Sequence, residues 1–168
     1  MIVPFVKCQK YAAAAAESAS IQQRISKSDG ASLLRTYFSV FVEGEDGKDA
    51  YNHSDANILT YNTMMDGLRL QDFTLSVADG TAYLCNERNL KNSAMQSLRQ
   101  FKQNFVHIDN WCGNAPCKND DTLLNGLPLD SDRTWSVSTT TPNAAYKYYF
   151  FYTTQKKLVI SRGSLTLV

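Results

Sequence analysis

The sequence predicts an α+β fold, and three observations lead to that class. An alanine-rich stretch near the N-terminus has helical spacing, a stretch at about 88–103 has the apolar periodicity of an amphipathic helix, and the C-terminal third consists of aromatic and β-branched runs. Helices and strands in separate blocks are typical of this class. With 168 residues, 43% of them hydrophobic, the chain is expected to form a single domain, residues 1–168, with a buried core.

The N-terminal helix is predicted over residues 1–30. Pro4 suits a first helical turn, and the alanine run at 12–16 has high helix propensity and leaves a face with almost no side chains. Asp29 and Gly30 end the pattern. Another backbone could approach the smooth face closely, so we expect an interaction surface there. Its residues are Phe5, Ala12, Ala15, Ala16 and Ala19.

The rest of the chain, residues 35–168, is predicted to form the α+β body. Its first strand is expected at 35–44, where aromatic and β-branched residues are dense. A short helix, capped by Asp55 and ended by Gly67, is predicted next. The segment 72–85 is predicted to be a hairpin, because two alternating runs flank an Ala-Asp-Gly turn and Asp-Gly is a strong type I′ signal.

The second helix, at about 88–103, has the clearest pattern in the chain. Its apolar residues recur by three and four, which predicts a helix lying flat on an antiparallel sheet. They are Leu90, Ala94, Leu98, Phe101 and Phe105. A short strand, FVHI, and then a long polar loop at 109–133 are predicted after it, and a loop of that length requires a function or a clamp. The C-terminus is predicted to be a strand meander with turns near Pro142, Gln155 and Gly163.

Charge and hydropathy argue against two classes of partner. Seventeen Lys and Arg stand against sixteen Asp and Glu, a net charge of +1, and no basic block is visible. Nucleic-acid binding requires concentrated positive charge, so we expect no nucleic-acid partner. No apolar run approaches the ~20 residues that a helix needs to span a bilayer.

The stretch NWCGNAPCKND holds two of the four cysteines. A thioredoxin-type redox centre needs two residues between its cysteines, whereas Cys112 and Cys117 are separated by four, in a segment without helical character. A zinc site would add His107 and either Cys85 or His53, but a second closely spaced cysteine pair is missing. His107 lies in an apolar run and is more simply structural. We therefore expect neither a metal nor a cofactor.

A disulfide is the preferred interpretation of this stretch. Cys112 and Cys117 can close a small loop, and Cys85 is the alternative partner for either of them. The cross-link would clamp the long loop at 109–133. Because disulfides form outside the reducing cytosol, this interpretation predicts an extracellular or cell-surface protein. Cys8 lies on the helical stripe and is interpreted as a small buried hydrophobe.

Acidic residues come in three groups, at 43–49, 120–121 and 130–132. Paired carboxylates could serve glycoside hydrolysis or calcium binding, but no calcium-loop spacing is present, and solvated loop acids are more common. The nucleophile-elbow, zinc-protease and phosphate-loop motifs are absent, and the chain has two histidines. We therefore expect a protein without catalytic activity. A small ligand-binding or hydrolytic α+β domain that uses the acidic loops is an alternative.

Residues 2–20, IVPFVKCQKYAAAAAESAS, resemble a segment of type IV pilins and pseudopilins. In that family an Ile-Pro-x-Phe-like run leads into Tyr or Lys, then alanine-rich turns, then Glu-Ser, and here Pro4, Phe5, Tyr11 and Glu17 match it. The segment marks where the membrane half of the long pilin helix gives way to its amphipathic half. The resemblance implies helices packed in a filament core through small residues, and loops that face outward. Membrane contact would require an apolar N-terminal segment that this sequence lacks.

The main hypothesis is a non-catalytic structural or interaction subunit, specifically a pilin-like filament component with a surface-exposed, cysteine-clamped loop. We expect it to self-associate or to bind other protein subunits, outside the cell or at its surface. The alternative is a viral structural or accessory subunit, which would place the chain in a virion or in the cytoplasm.

Overall fold

The computed structural model shows a protein built mostly of β-strands. It describes seven parts of the chain: residues 2–12, 18–42, 59–90, 97–112, 126–140, 146–161 and 164–167. Within them lie eleven strands: β1 (Ile2–Ala12), β2 (Ser18–Ile25), β3 (Ser32–Val42), β4 (Thr60–Met65), β5 (Leu68–Arg69), β6 (Leu75–Ser76), β7 (Val106–Asn110), β8 (Leu127–Pro128), β9 (Arg133–Thr140), β10 (Tyr146–Ser161) and β11 (Ser164–Leu167). Two helices, α1 (Thr81–Leu90) and α2 (Leu98–Gln103), lie between β6 and β7.

The strands form two antiparallel sheets. The first has the order β1-β10-β3-β7, with β11 beside β10 and β8 beside β3, and the second has the order β2-β9-β4-β5, with β6 beside β4. The chain changes sheet six times, between β1 and β2, β2 and β3, β3 and β4, β6 and β7, β8 and β9, and β9 and β10. Strands that are distant in sequence therefore pair, and β1 follows β10 without a break from Ile2–Lys157 to Ala12–Lys147. This order is that of a jelly roll.

The two sheets pack face to face through aromatic side chains. The ring of Phe38 on β3 meets that of Tyr61 on β4 edge-on, with centroids 5.0 Å apart, and Trp135 on β9 meets Phe150 on β10 at 5.2 Å. All four side chains are buried. Burial of large aromatic side chains removes much apolar area from water, so this cluster is a major source of cohesion between the sheets.

Alternation along β10 explains how one strand serves the core and still forms an outer face. Tyr148, Phe150 and Tyr152 are buried, whereas Tyr149 and Phe151 between them are half-buried. Successive side chains of a strand point to opposite faces, so the three buried rings all point toward the second sheet. The aromatic residues of this segment therefore lie at the centre of the first sheet, where alternate rings pack into the core.

The predicted helix over 1–30 is wrong, and with it the α+β class. Residues 2–12 pair with β10 as β1, and residues 18–25 pair with β9 as β2. Helix propensity is a weak local preference, which tertiary pairing overrides. The segment before the alanines is also rich in β-branched and aromatic residues, such as Val3 and Tyr11, which fit a pleated surface.

The five residues of the predicted interaction face do not share a helix. Phe5 and Ala12 belong to β1, and Ala19 belongs to β2. Ala15 and Ala16 lie outside the described residues. A smooth helical face therefore does not exist at the described positions, and the interaction role of these residues stays a prediction.

The predicted helix at about 88–103 is wrong in its bounds. The chain is helical in α1 and in α2, and residues 91–96 between them lie outside the described residues. A capping box opens α2: the Ser97 hydroxyl accepts a hydrogen bond from the Gln100 backbone at 3.2 Å, and the Gln100 side chain accepts one from the Ser97 backbone at 3.0 Å. This local signal begins a new helix, α2, within a segment that apolar periodicity alone predicts to be a single helix.

The predicted hairpin at 72–85 does not form, although a type I′ turn does form at a different Asp-Gly pair. Asp66 and Gly67 have positive φ angles of 52° and 80°, and they join β4 to β5 as a two-residue turn. The predicted short helix ending at Gly67 is therefore a strand where it is described. At Asp79 and Gly80 the chain turns from β6 into α1 instead of into a second strand.

The predicted C-terminal meander is corrected as well. β9 and β10 lie in different sheets, and the two runs on either side of Gln155 form one continuous strand because Gln155 and Lys156 keep pairing with β1. The strand predicted at 35–44 is confirmed as β3 and TWSVSTT is confirmed within β9, whereas the strand predicted at FVHI begins one residue later, at Val106 of β7. Of the predicted loop at 109–133, residues 113–125 lie outside the described residues.

Candidate functional site

A surface cavity of about 560 Å³ lies between α1 and the end of β7. Its walls come from three segments: residues 70–73 after β5, one face of α1, and residues 109–111. A volume of this size is within the range of small-molecule and peptide side-chain sites, roughly 300–1,000 Å³. The lining mixes carboxylate, amide, guanidinium, thiol and aromatic groups.

The face of α1 that lines the cavity follows directly from helical spacing. Its members are separated by three, one, three and one positions, which places them on one side of a helix. They are Thr81, Leu84, Cys85, Arg88 and Asn89. The first of them also anchors the helix start, because the Thr81 hydroxyl accepts a hydrogen bond from the Ser76 backbone at 2.8 Å.

Two asparagines hold α1 against β7. Asn86 accepts a hydrogen bond from the Ile108 backbone at 3.0 Å and donates to the carbonyl oxygen of Val106. Asn89 donates to the carbonyl oxygen of Ile108. Because β7 pairs with β3 along its other side, these contacts satisfy the backbone groups of a sheet edge. The helix position, and so the cavity, is therefore set by the strand.

The carboxylate of Asp109 forms the inner end of the cavity. Its side chain is 7% exposed and yet borders the cavity. One oxygen accepts hydrogen bonds from His107 Nε2 at 3.0 Å and from Gln71 Nε2 at 3.3 Å. The other oxygen accepts from Trp135 Nε1 at 3.2 Å. The Thr63 hydroxyl on β4 donates to the first oxygen at 3.4 Å. Donors from β4, from β7, from β9 and from the loop after β5 thus converge on one buried carboxylate.

His107 continues this network into the core. The ring is fully buried, and its Nδ1 lies 2.8 Å from the hydroxyl of Tyr61. A carboxylate can only accept, so Nε2 carries a proton toward Asp109, which leaves Nδ1 as the atom that faces the Tyr61 hydroxyl. Burial raises the pKa of Tyr61 well above its ordinary value, and the nearby Cys85 and Asp109 raise it further, so the hydroxyl keeps its proton as a donor.

The cysteines do not form the predicted clamp among the described residues. Cys85 lines the cavity as a thiol, and burial, followed by the charge of Asp109, raises its pKa to about 11. The Cys112 thiol is buried and donates to the carbonyl oxygen of Leu34 at 3.4 Å. No disulfide joins the cysteines that the structure describes; Cys117 lies outside them, so a Cys112–Cys117 disulfide stays a prediction.

The other predicted sites are not assembled in the part of the chain that the structure describes. No group of three metal-ligating side chains occurs there, and none of its helices is long and apolar enough to cross a membrane. The acidic groups at 43–49 and 120–121 lie outside it. Asp132, from the third group, binds the Lys27 backbone at 2.9 Å and pairs with Arg24, which is a surface structural role.

Sequence reasoning did not single out Asp109, Gln71 or Trp135. A signal was present in VHIDN, because His107 and Asp109 are two residues apart and therefore lie on one face of a strand. That face also carries the side chains that meet the second sheet. Two polar residues on a buried face require partners, but no local pattern names them.

Comparison with solved structures agrees with the jelly-roll strand order. A chain in the cryo-EM structure of the Sputnik virophage is 12% identical, with a TM-score of 0.51 over 99% of this chain and 38% of its own length. A chain of the PBCV-1 virus capsid is 8% identical, with a TM-score of 0.53 over the whole of this chain and 52% of its own. No protein-family model and no curated protein matches.

These likenesses concern the fold, and this chain spans about half or less of the length of the two viral chains. The resemblance to type IV pilins is wrong. The segment 2–20 that carried it forms strands wherever it is described, where a pilin stem would be one long helix. The two similar chains described above come instead from a virophage and a virus capsid, so the pilin-like filament at the cell surface is not supported. The chain's described part is a jelly roll of the kind also found in a virophage and in a viral capsid.

Proposed function

We propose that this chain is a structural subunit of a viral capsid, or one jelly-roll unit of such a subunit, and that it assembles with other protein subunits. The observation that carries the proposal is the strand order, β1-β10-β3-β7 facing β2-β9-β4-β5, together with its likeness to the virophage and PBCV-1 chains. Jelly rolls serve as viral capsid domains, although other functions use the same fold.

The surface of the sandwich supports an assembly role. Among the residues that the structure describes, four large apolar side chains are exposed: one at the start of β5, one in the loop after β5 and one on each of the two helices. They are Leu68, Phe73, Leu84 and Leu98. Exposed apolar groups of this size become buried where subunits meet. The location that follows is a virion.

The buried network supports a non-catalytic role. Tyr61, His107 and Asp109 hydrogen-bond to one another, and Asp109 is also bound by Trp135 and Gln71, so this network serves cohesion of the core. The Cys85 thiol, with a pKa of about 11, is protonated at neutral pH and is therefore a weak nucleophile.

Concentration-dependent assembly of the purified chain tests the proposal. Sedimentation velocity from micromolar to millimolar concentration, with electron microscopy of the heaviest fraction, should show regular oligomers. Replacement of Leu68, which is 74% exposed, by Gln should weaken association. Ser131→Gln, at an exposed polar position, should leave it unchanged. A chain that stays monomeric throughout, or that associates equally in both variants without regular particles, would contradict the proposal.

A further inference from the structure

The mouth of the cavity is apolar. Phe73 is 56% exposed and Leu84 is 63% exposed, and both line the opening from opposite segments, the loop after β5 and α1. Trp111 adds a third apolar surface to the wall. Large apolar side chains left in water beside a concave site indicate contact with another molecule.

The charges of the cavity are unequal. Two carboxylates line it, Asp72 at the surface and Asp109 at the inner end, against one guanidinium, that of Arg88. Within the described residues, no Lys or Arg forms an ion pair with Asp109, which is hydrogen-bonded to His107 Nε2. A charge in a poorly solvated site acts over a longer range than one in water. The cavity therefore favours an entering cation over an anion.

An apolar mouth above a carboxylate suits a long side chain with a cationic end. Lysine and arginine bury their methylene stems against apolar surface while the charged group reaches a polar partner, and both interact favourably with aromatic faces. An uncharged side chain would gain nothing from Asp109, and an acidic one would be repelled by it. The volume of about 560 Å³ exceeds one side chain, so residues next to the basic one would enter as well.

We propose that this cavity receives a lysine or arginine side chain from a neighbouring protein subunit. The contact would use Phe73 and Leu84 for the stem and the two carboxylates for the charge. The identity of the occupant as a subunit rests on the proposed capsid function, whereas the preference for a basic side chain rests on the cavity alone.

A peptide titration of the isolated chain tests the preference. The probes are acetyl-Leu-Lys-Leu-amide and the same peptide with norleucine, which has a stem of similar length and no charge. The two tryptophans of the chain report on binding, because Trp111 lines the cavity and Trp135 binds Asp109. We expect saturable binding in which the lysine peptide is about fivefold tighter or more, and weaker binding at high salt. Equal affinities, or no saturable binding, would overturn the proposal.

Two substitutions that each remove an exposed charge form a matched pair, and their expected effects on peptide affinity have opposite signs. Asp72→Asn should weaken the binding of the lysine peptide by roughly two- to fivefold, and Arg88→Gln should strengthen it by a similar factor. Both effects are modest because each acts through an exposed charge. Neither substitution should change the affinity for the norleucine peptide. Because both residues are exposed, both variants are expected to fold, which circular dichroism checks. Effects of the same sign, or none, would mean that charge does not determine what the cavity binds.

The source of the basic side chain is tested on the assembled protein. The lysine peptide should raise the protein concentration needed for assembly, and the norleucine peptide should not. If the chain assembles without discriminating between the peptides, the cavity proposal fails and the capsid proposal stands. If the isolated chain binds the lysine peptide selectively and never assembles, the capsid proposal fails and the occupant is not a subunit of this kind.

Discussion

Two aspartates bind strand β9, one from inside the sandwich and one from its surface. Asp109 accepts a hydrogen bond from the Trp135 side chain at 3.2 Å, and its own side chain is 7% exposed. Asp66, in the β4–β5 turn, accepts from the Thr134 backbone and from the Arg133 side chain, each at 2.8 Å, and is 35% exposed. Asp109 accepts from more donors than Asp66 does, but the difference that matters for stability is the access of water.

That difference decides how much each carboxylate contributes to stability. Water competes for the exposed ion pair, so its net value is typically about 0–1 kcal/mol. Inside the core nothing replaces a lost partner, and each donor left unsatisfied costs about 1–3 kcal/mol. Four substitutions, from the largest expected effect to the smallest, test whether burial governs the contrast between Asp109 and Asp66.

Replacement of Asp109 by Asn should lower the free energy of unfolding by about 3 kcal/mol, because a neutral amide cannot accept from all the donors that converge there. Chemical denaturation followed by far-UV circular dichroism measures it. Asp66→Asn is the matched control, with the same atoms changed at the surface. A loss below about 1 kcal/mol at Asp109 would show that burial does not govern the contrast.

Trp135→Phe should lower the free energy of unfolding by about 2 kcal/mol, because it removes a hydrogen bond to a charged group and part of a buried ring. Trp111→Phe is the comparison, because that indole donates to the neutral Thr36 hydroxyl at 3.2 Å and is only half-buried. The measurement is again equilibrium unfolding by circular dichroism. An equal loss in both variants would argue against a special role for the Asp109 contact.

Tyr61→Phe should cost about 1 kcal/mol, the net value of one neutral hydrogen bond. It removes the donor to His107 Nδ1 and leaves the apolar ring in place. Nitrogen NMR of the imidazole should show a changed Nδ1 environment with Nε2 still protonated. Tyr83→Phe, which removes a hydroxyl bound to Glu87 on the same helix, should have a smaller effect. An unchanged imidazole spectrum would contradict the assigned contact.

Asp66→Asn should cost less than about 1 kcal/mol, and Asn also tolerates the positive φ angle of this turn. The effect should depend on pH. Burial acts to raise the pKa of Asp66, but the Thr134 backbone and Arg133 together hold it below its ordinary value. The carboxylate therefore stabilises the fold above the unfolded pKa, about 4, and loses that contribution as pH falls through the folded pKa.

Unfolding free energies of the wild-type chain and of Asp66→Asn between pH 6 and pH 2 test this sign. The difference between them should be largest at pH 6 and should shrink toward pH 2. A difference that grows with acidity would contradict the assigned contacts of Asp66.

Local patterns predicted several strands of the fold. β3, β7 and β9 follow from alternation and β-branched content in segments such as 35–44. The N-terminal segment was missed because alanine spacing indicates a helix, whereas its state depends on β10 and β9, more than a hundred residues away. The continuity of β10 was not predicted for the same reason. Gln155 resembles a turn residue unless its pairing with β1 is known.

The cavity was the least predictable feature. Its face on α1 has regular spacing, but the sequence predicts a strand up to residue 85 and a helix only from about 88. The residues that bind Asp109 come from four separate segments. The sequence predicts a site at Cys112 and Cys117 because these cysteines are close in sequence. It does not predict the polar network around Asp109, because the members of that network meet only across the sandwich.

By itself the sequence determined which residues share one face of a strand: Tyr148, Phe150 and Tyr152 on β10, and His107 and Asp109 on β7. The tertiary structure decided which strands pair, that the chain is a jelly roll, and that a carboxylate lies at the inner end of a cavity. The physical reason is range: side-chain alternation is a property of neighbouring residues, whereas strand pairing and the partners of a buried charge depend on contacts between distant segments.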